Sequence, residues 1–505
     1  MNRVAGVLMP VSSLPSPYGI GTLGKSAYKF VDFLKSAGCG LWQVLPLLPT
    51  SYGDSPYASF SAFALNHYFI DLDLLCEDGL LKREEYEPLD WGDDERRVDY
   101  GKLYYLRVGV LKKAFARFDR SLPEWTKFLK KGKYRDYALF MALKSEFGGA
   151  PCEQWGEFSE YDEGKVGKFG KEHAEEVLFW QFTQFIFLRQ WKELKKYAHR
   201  KGVKIIGDIP LYVARDSVET WKYKRELFLL DGEGNPAVQA GVPPDAFSET
   251  GQLWGNPVYN WEKMRGDGYE WWHRRIEEGL ELYDVLRIDH FIGFVRYYCI
   301  PAGQKDARVG EWRKGPGAEL FEGFENRGII AEDLGIVVDE VRQAIKKTGY
   351  PGMKILQHAF DGSEDNEHRP SNYIENCVAY TGTHDNEMLK AKLLSMNDWE
   401  YQTMLSVLKT ECERAGIEVK CESIESVCGT ILRLLFASRA NIIIFPLQDA
   451  LCMGNEGRIN MPSVVSPDNW SYRFTESDFS ADLAETISET VKLSGRDAFK
   501  NRKKI

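Results

Sequence analysis

The chain lacks any stretch of about 18 uninterrupted apolar residues, the length a helix needs to cross a bilayer. Its N-terminus, MNRVAGVLMPVSSLPSPYG, offers only a short apolar run broken by Pro10. Neither a membrane span nor a secretory signal is expected, so the expectation is a cytoplasmic protein. The nine cysteines contain no CxxC pair, and their odd number argues against a disulfide framework and for a reducing compartment. Positive charge is in deficit, with 65 Lys and Arg against 75 Asp and Glu. A net charge of −10 disfavours polyanions, and no nucleic-acid partner is expected. There is no HExxH motif and no cluster of His and Cys, so no catalytic metal is expected. Internal repeats and low-complexity tracts are absent too, and the basic end GRDAFKNRKKI reads as a solvated tail.

What is present is length and apolar pattern. At 505 residues the chain can bury a large core, as two or three domains or as one barrel with large insertions. Aromatic residues reach 13%, which suits either core packing or platforms for sugar rings. Eight short apolar runs, several ending at a polar residue or proline, order themselves as parallel strands: roughly 4–9, 41–48, 203–209, 284–289, 328–334, 353–360, 377–383 and 441–448. Helical patterns lie between many of them, such as KSAYKFVDFLKSAG with apolar residues at 27, 30, 31 and 34, and the long aromatic stretch 178–202. The predicted fold class is α/β, a (β/α)8 TIM barrel forming a single catalytic unit. Large insertions fall at about 74–177 (helical), 211–283 (loop-rich, containing a loop at 240–255) and 387–440 (helical).

Three acids stand at the ends of three of these runs: Asp289 in LRIDHF, Glu332 in IIAEDLG and Asp385 in VAYTGTHDN. A buried parallel strand delivers the residue after its apolar run to the C-terminal mouth of a barrel, where barrel enzymes keep their chemistry. Singly, each acid has an ordinary explanation: Asp385 as a helix N-cap, Asp289 as half of an ion pair with Arg287, Glu332 and Asp333 as solvated mouth charges. Together they read as a carboxylate triad for glycosidic bonds.

GIGTLGKS, residues 19–26, matches both the GxxxxGK[ST] and the GxGxxG phosphate-binding patterns. Those motifs need a strand feeding straight into the glycines. Here SSLPSPY intervenes, and the next apolar run, LWQVLPLL, lacks the acid that would hold a ribose. The segment therefore reads as a turn before a helix capped near Ser26, and a nucleotide-binding protein is the outlying alternative.

LRIDHFIGF, AEDLG and TGTHDN resemble the regions of the α-amylase clan that carry nucleophile, acid/base and third carboxylate. PTSYGDSPYASFSAFALNHYFIDL (49–72), GDIPLYVARDSVETW (207–221), AGVPPDAFSETGQLWGNPVYNW (240–261) and PLQDALCMGNEGRINMP (446–462) narrow the resemblance to the 4-α-glucanotransferases, or amylomaltases, of glycoside hydrolase family 77. It runs from Gly6 to about Arg473.

The resemblance implies a retaining double displacement on α-1,4-glucans, with malto-oligosaccharides as donor and acceptor and no cofactor. It assigns attack to Asp289, proton transfer to Glu332 and stabilisation of the transition state to Asp385, with Arg287 favouring the ionised form of Asp289. Tyr57 would stack on the sugar at the cleavage point, the alternative being a core tyrosine. His384, Asp208 and Asn460 would supply polar contacts, with Arg458 and Gln448 in support. On the 240–255 loop the candidates are Asp245, Phe247, Gln252 and Trp254; many relatives carry tyrosine where Ala246 stands. His290 reads as a packed histidine or as one that supports the site's contacts from behind. The alternatives are a hydrolase of the same clan and a glucan-binding protein without catalysis; oligomeric state is left open.

Overall fold

The computed structural model describes residues 3–244, 248–335 and 338–499. Twelve strands occur in chain order: β1 (Val4–Leu8), β2 (Leu41–Gln43), β3 (Lys204–Ile209), β4 (Val238–Val242), β5 (Gln252–Pro257), β6 (Val285–Ile288), β7 (Arg296–Pro301), β8 (Glu311–Lys314), β9 (Ile329–Ala331), β10 (Gly352–Ile355), β11 (Cys377–Tyr380) and β12 (Ile442–Pro446). Eight of them form one sheet in the order β10-β11-β12-β1-β2-β3-β6-β9, and every pairing in it is parallel. Each of these eight lies within one of the apolar runs, apart from a residue at one end of β10.

The two free edges approach each other. The Ala331 N–H donates to the Pro351 carbonyl at 3.0 Å, and the Asp333 carboxylate accepts the Met353 N–H at 2.7 Å. The sheet is thereby nearly closed into a (β/α)8 barrel.

The runs are apolar on both faces because both faces are buried. Leu8, Leu41, Ile206, Ile330, Met353, Ile355, Val378, Tyr380, Ile442 and Ile444 cluster inside the barrel. Their neighbours in sequence, including Val7, Trp42, Ile205, Ile329, Ala379 and Ile443, join the outer core. This alternation is the period of two that a pleated strand imposes.

The segment 74–177 is helical, with Tyr100–Arg117, Pro123–Lys131, Arg135–Glu146 and Glu163–Glu172. The segment 387–440 carries Leu389–Ser395, Asp398–Ala415 and Ile424–Ala437. The loop-rich reading of 211–283 is incomplete. It holds β4, β5 and the helix Glu270–Leu282, and β4 and β5 join β7 and β8 in a four-stranded antiparallel sheet ordered β5-β4-β7-β8. Its strands VQAGV and QLWGNP contain Gly and Pro and pair through a register shift between Gln239 and Gly241, so no clean alternation marks them.

In the GIGTLGKS segment the helix Lys25–Ser36 has Gly24, not Ser26, as its N-cap, without a side-chain cap. A Cβ on Gly24 would lie 1.9 Å from a carboxylate oxygen of Asp71, which also accepts the Thr22 hydroxyl at 2.6 Å. A protein carboxylate thus packs against the turn where a phosphate-binding loop would hold its anion. Among the described residues no helix is long and apolar enough to cross a membrane.

Candidate active site

The barrel's C-terminal mouth is organised around one guanidinium. Arg287 on β6 and Asp289 just beyond it point the same way, as a two-residue spacing on a strand requires. One nitrogen of Arg287 lies 2.6 Å from Oδ2 of Asp208 on β3 and 3.0 Å from Oδ1 of Asp289. The Tyr57 hydroxyl donates to the same Asp208 oxygen at 2.7 Å. Asp208 and Arg287 are buried. Burial pushes the Asp208 carboxyl above its ordinary value, and Arg287 pulls it back. Both residues therefore sit behind the cleft wall and act on it through Tyr57 and Asp289.

Glu332 follows β9, and its two oxygens accept backbone N–H groups at 2.7 Å each, from His290 and Leu334. His290 has a left-handed backbone with φ 48°, an uncommon conformation for a non-glycine residue, and this is where the chain turns its N–H onto Glu332. Burial is the largest influence on the Glu332 carboxyl and raises it to about 8. Arg287 and the two N–H groups oppose the rise, and the charge of Asp289 adds to it. Glu332 and Asp289 thus sit in contrasting surroundings, one desolvated and bonded only to backbone, the other paired with a cation.

Asp385 lies past β11 and is not a helix cap, since the next helix begins at Leu389 with Met388 in the cap position. Its Oδ1 accepts the Asn460 amide at 2.6 Å and lies 3.4 Å from Nε2 of His384. Arg458 donates to the backbone carbonyls of Asp385 and Asn460, both at 2.8 Å, and Gln448 donates to the Gly457 carbonyl at 3.0 Å. The supporting parts read for Arg458 and Gln448 match this geometry, while Asn460 grips Asp385 itself.

Tyr57 is half-buried and stacks on the His384 ring at 5.1 Å and 15°. Trp470 leans on both rings, at 5.8 Å from Tyr57 and 5.7 Å from His384. Across the cleft, Trp254 on β5 donates to the Gln252 side chain at 3.0 Å and meets the His290 ring edge-on at 5.0 Å. Burial holds the His290 imidazole below its ordinary value, although the half-buried residue also borders the cleft. The cleft encloses about 380 Å³, and its lining includes Tyr57, Tyr212, Gln252, Trp254, Asp289, His290, Glu332, His384, Asp385, Asn460 and Trp470. Asp245 and Phe247 lie outside the described residues. Tyr212 and Trp470 escaped the sequence reading because neither falls at the end of an apolar run.

The family model described as 4-alpha-glucanotransferase, glycoside hydrolase family 77, matches residues 9–478. The 4-alpha-glucanotransferase of Clostridium butyricum is 45% identical over 497 residues, covering 97% of this chain and 100% of that one. The enzyme of that name from Thermus thermophilus is 44% identical over 508 residues, covering 98% and 99%. Among solved structures, the amylomaltase from Streptococcus agalactiae in complex with acarbose is 38% identical, with a TM-score of 0.91 over 98% of this chain and 99% of that one.

The Glu332 environment has a measurable consequence for stability. Its folded value of about 8 exceeds its ordinary 4.5, so the stability this group contributes is present below about 4.5 and is lost as pH rises toward 8. Glu332→Gln cannot ionise. Its urea midpoint should therefore gain on wild type between about pH 4.5 and pH 8, then run parallel to it; a midpoint difference that does not change with pH contradicts the assignment.

Proposed function

The chain belongs to the 4-α-glucanotransferase family, glycoside hydrolase family 77, and on that premise we propose that its cleft transfers a segment of an α-1,4-glucan to the 4-hydroxyl of another glucan or of glucose through a covalent glycosyl-aspartate. Asp289 attacks the anomeric carbon as the bond to the leaving O4 breaks, and Glu332 gives that oxygen its proton. In the second step Glu332 takes the proton of the acceptor 4-hydroxyl while its oxygen attacks the same carbon and Asp289 departs. Two inversions leave the configuration retained, and the balance calls for no redox or phosphoryl carrier.

The observation that carries this reading is the contrast between the two carboxyls. A nucleophile must be ionised and an acid must hold its proton near neutrality. Asp289 has the Arg287 cation at 3.0 Å, whereas burial lifts Glu332 to about 8. Asp385, held by Asn460, grips ring hydroxyls and stabilises the positive charge of the oxocarbenium-like transition state, with His384 beside it. Tyr57, backed by His384, offers a flat face to the sugar at the cleavage point. Acarbose in the amylomaltase from Streptococcus agalactiae supports an oligosaccharide in this cleft.

On this reading the chain is one catalytic barrel with inserted segments, working in the cytoplasm on malto-oligosaccharides, with neither nucleic acid nor membrane as partner. Maltotriose tests it. Transfer yields glucose plus a ladder of longer chains, whereas glucose and maltose alone would mean hydrolysis and no change would mean mere binding.

The choice between water and sugar belongs to the 240–255 loop, which includes Asp245, Phe247, Gln252 and Trp254. Trp254 and Gln252 line the cleft, and on this reading the indole shields the intermediate from water while the pair orients the acceptor. Trp254→Ala should cut transfer more than hydrolysis, by about 1–3 kcal/mol, the scale for losing one stacked ring, or about five- to over a hundred-fold in rate. The readout is reducing ends formed per glucosyl unit transferred. An unchanged ratio would move the transferase character elsewhere in the mouth.

A further inference from the structure

The chain from Thr381 to Leu389 leaves β11, presents Asp385 at its middle and enters the helix Leu389–Ser395. Its first and last residues meet on one side chain. The Thr381 hydroxyl donates to Oδ2 of Asp449 at 2.5 Å, and the Leu389 N–H donates to Oδ1 at 2.8 Å. Asp449 sits in the short helical turn Leu447–Ala450 that follows β12, the neighbour of β11 in the barrel. Asp449 and Thr381 are both buried.

The middle of the loop is held separately. Gln357 donates to the Glu387 carbonyl at 3.0 Å, Arg458 to the Asp385 carbonyl, and Asn460 to the Asp385 carboxylate. Gln357 reaches both sides of the loop as well, its own backbone N–H donating to the Thr381 carbonyl at 3.2 Å, but it is Asp449 whose two side-chain oxygens take the two end residues, Thr381 and Leu389.

We propose that Asp449 is a positioning residue for the transfer reaction, a two-pronged clasp that closes the base of the 381–389 loop and so fixes Asp385 against the sugar. The inference rests on the role of Asp385 given above. A buried carboxylate is costly unless its oxygens are satisfied, and here each oxygen is spent on one end of the loop. Burial raises the Asp449 carboxyl to about 6, the two bonds opposing the rise. Either protonation state can keep both contacts, because a protonated oxygen can donate to the Thr381 oxygen while the other still accepts from Leu389. The clasp therefore depends on shape and hydrogen bonding, not on charge.

That gives a test a merely structural residue would not pass. Asp449→Asn preserves both contacts, with its carbonyl accepting from Leu389 and its NH₂ donating to Thr381, and should keep kcat for glucose release from maltotriose within about threefold of wild type. Asp449→Ala frees both loop ends and should lower kcat about ten- to a hundred-fold, the scale for a misplaced catalytic group, with KM changed less than about threefold. Thr381→Val removes one prong and should cost about three- to tenfold in kcat.

An Asn variant as impaired as the Ala variant, a loss confined to KM, or wild-type kcat in Asp449→Ala would each overturn the proposal. Should Asp449→Ala fail to fold, the comparison of Thr381→Val with Asp449→Asn decides it, and wild-type kcat in Thr381→Val overturns it. A wild-type enzyme that makes no ladder from maltotriose would overturn the transfer reading instead.

Discussion

The mouth of the barrel depends on the buried guanidinium of Arg287. A cation removed from water costs several kcal/mol unless charge and hydrogen bonds replace its hydration, and on removal of one partner the other is left stranded. Here Asp208 and Asp289 supply that replacement at 2.6 and 3.0 Å. The arrangement does three things at once. It ties β3 to β6, it sets Asp289 at the cleft, and through the shared Asp208 oxygen it anchors the Tyr57 hydroxyl at 2.7 Å. The cation also opposes the rise that burial imposes on the Asp208 and Glu332 carboxyls, so the three acids gathered at the mouth share one compensating charge.

From this centre the two sides of the cleft take different jobs. The Glu332 side is backbone chemistry, since two N–H groups fix the carboxyl and burial keeps its proton. The Asp385 side is side-chain chemistry, where Asn460 orients one carboxylate and Tyr57, His384 and Trp470 form an aromatic corner. A parallel barrel suits this division because all eight strands end at the same rim, so residues distant in sequence arrive already aimed at one point.

The strands and the three acids were legible because parallel strands buried on both faces read as continuous apolar runs, and the residue after the run falls at the mouth. The same logic located Arg287 beside Asp289. It failed where local sequence carries no period. In the sheet of β4, β5, β7 and β8, the strands β4 and β5 are built on glycine, proline and a register shift and hid inside the segment read as loop-rich, while β7 and β8 fell between two of the predicted barrel strands. Asp208 was read as a sugar contact, yet its side chain is buried behind the wall; a strand pattern shows which end a residue occupies, not how deep a second layer covers it. The left-handed turn at His290 and the two contacts of Asp449 are tertiary facts, invisible until the strands are assembled.

The most direct test of the account is to find which side chain carries the sugar. Glu332→Gln, which cannot supply a proton, should still react with an α-glucosyl fluoride, because fluoride leaves with little acid help, and should then stall for want of a base. Intact-protein and peptide mass spectrometry should show one added glycosyl unit, on the peptide containing Asp289. A protein that stays unlabelled, or that carries the unit on any other residue, would contradict the assignment of nucleophile and acid around which the cleft has been explained.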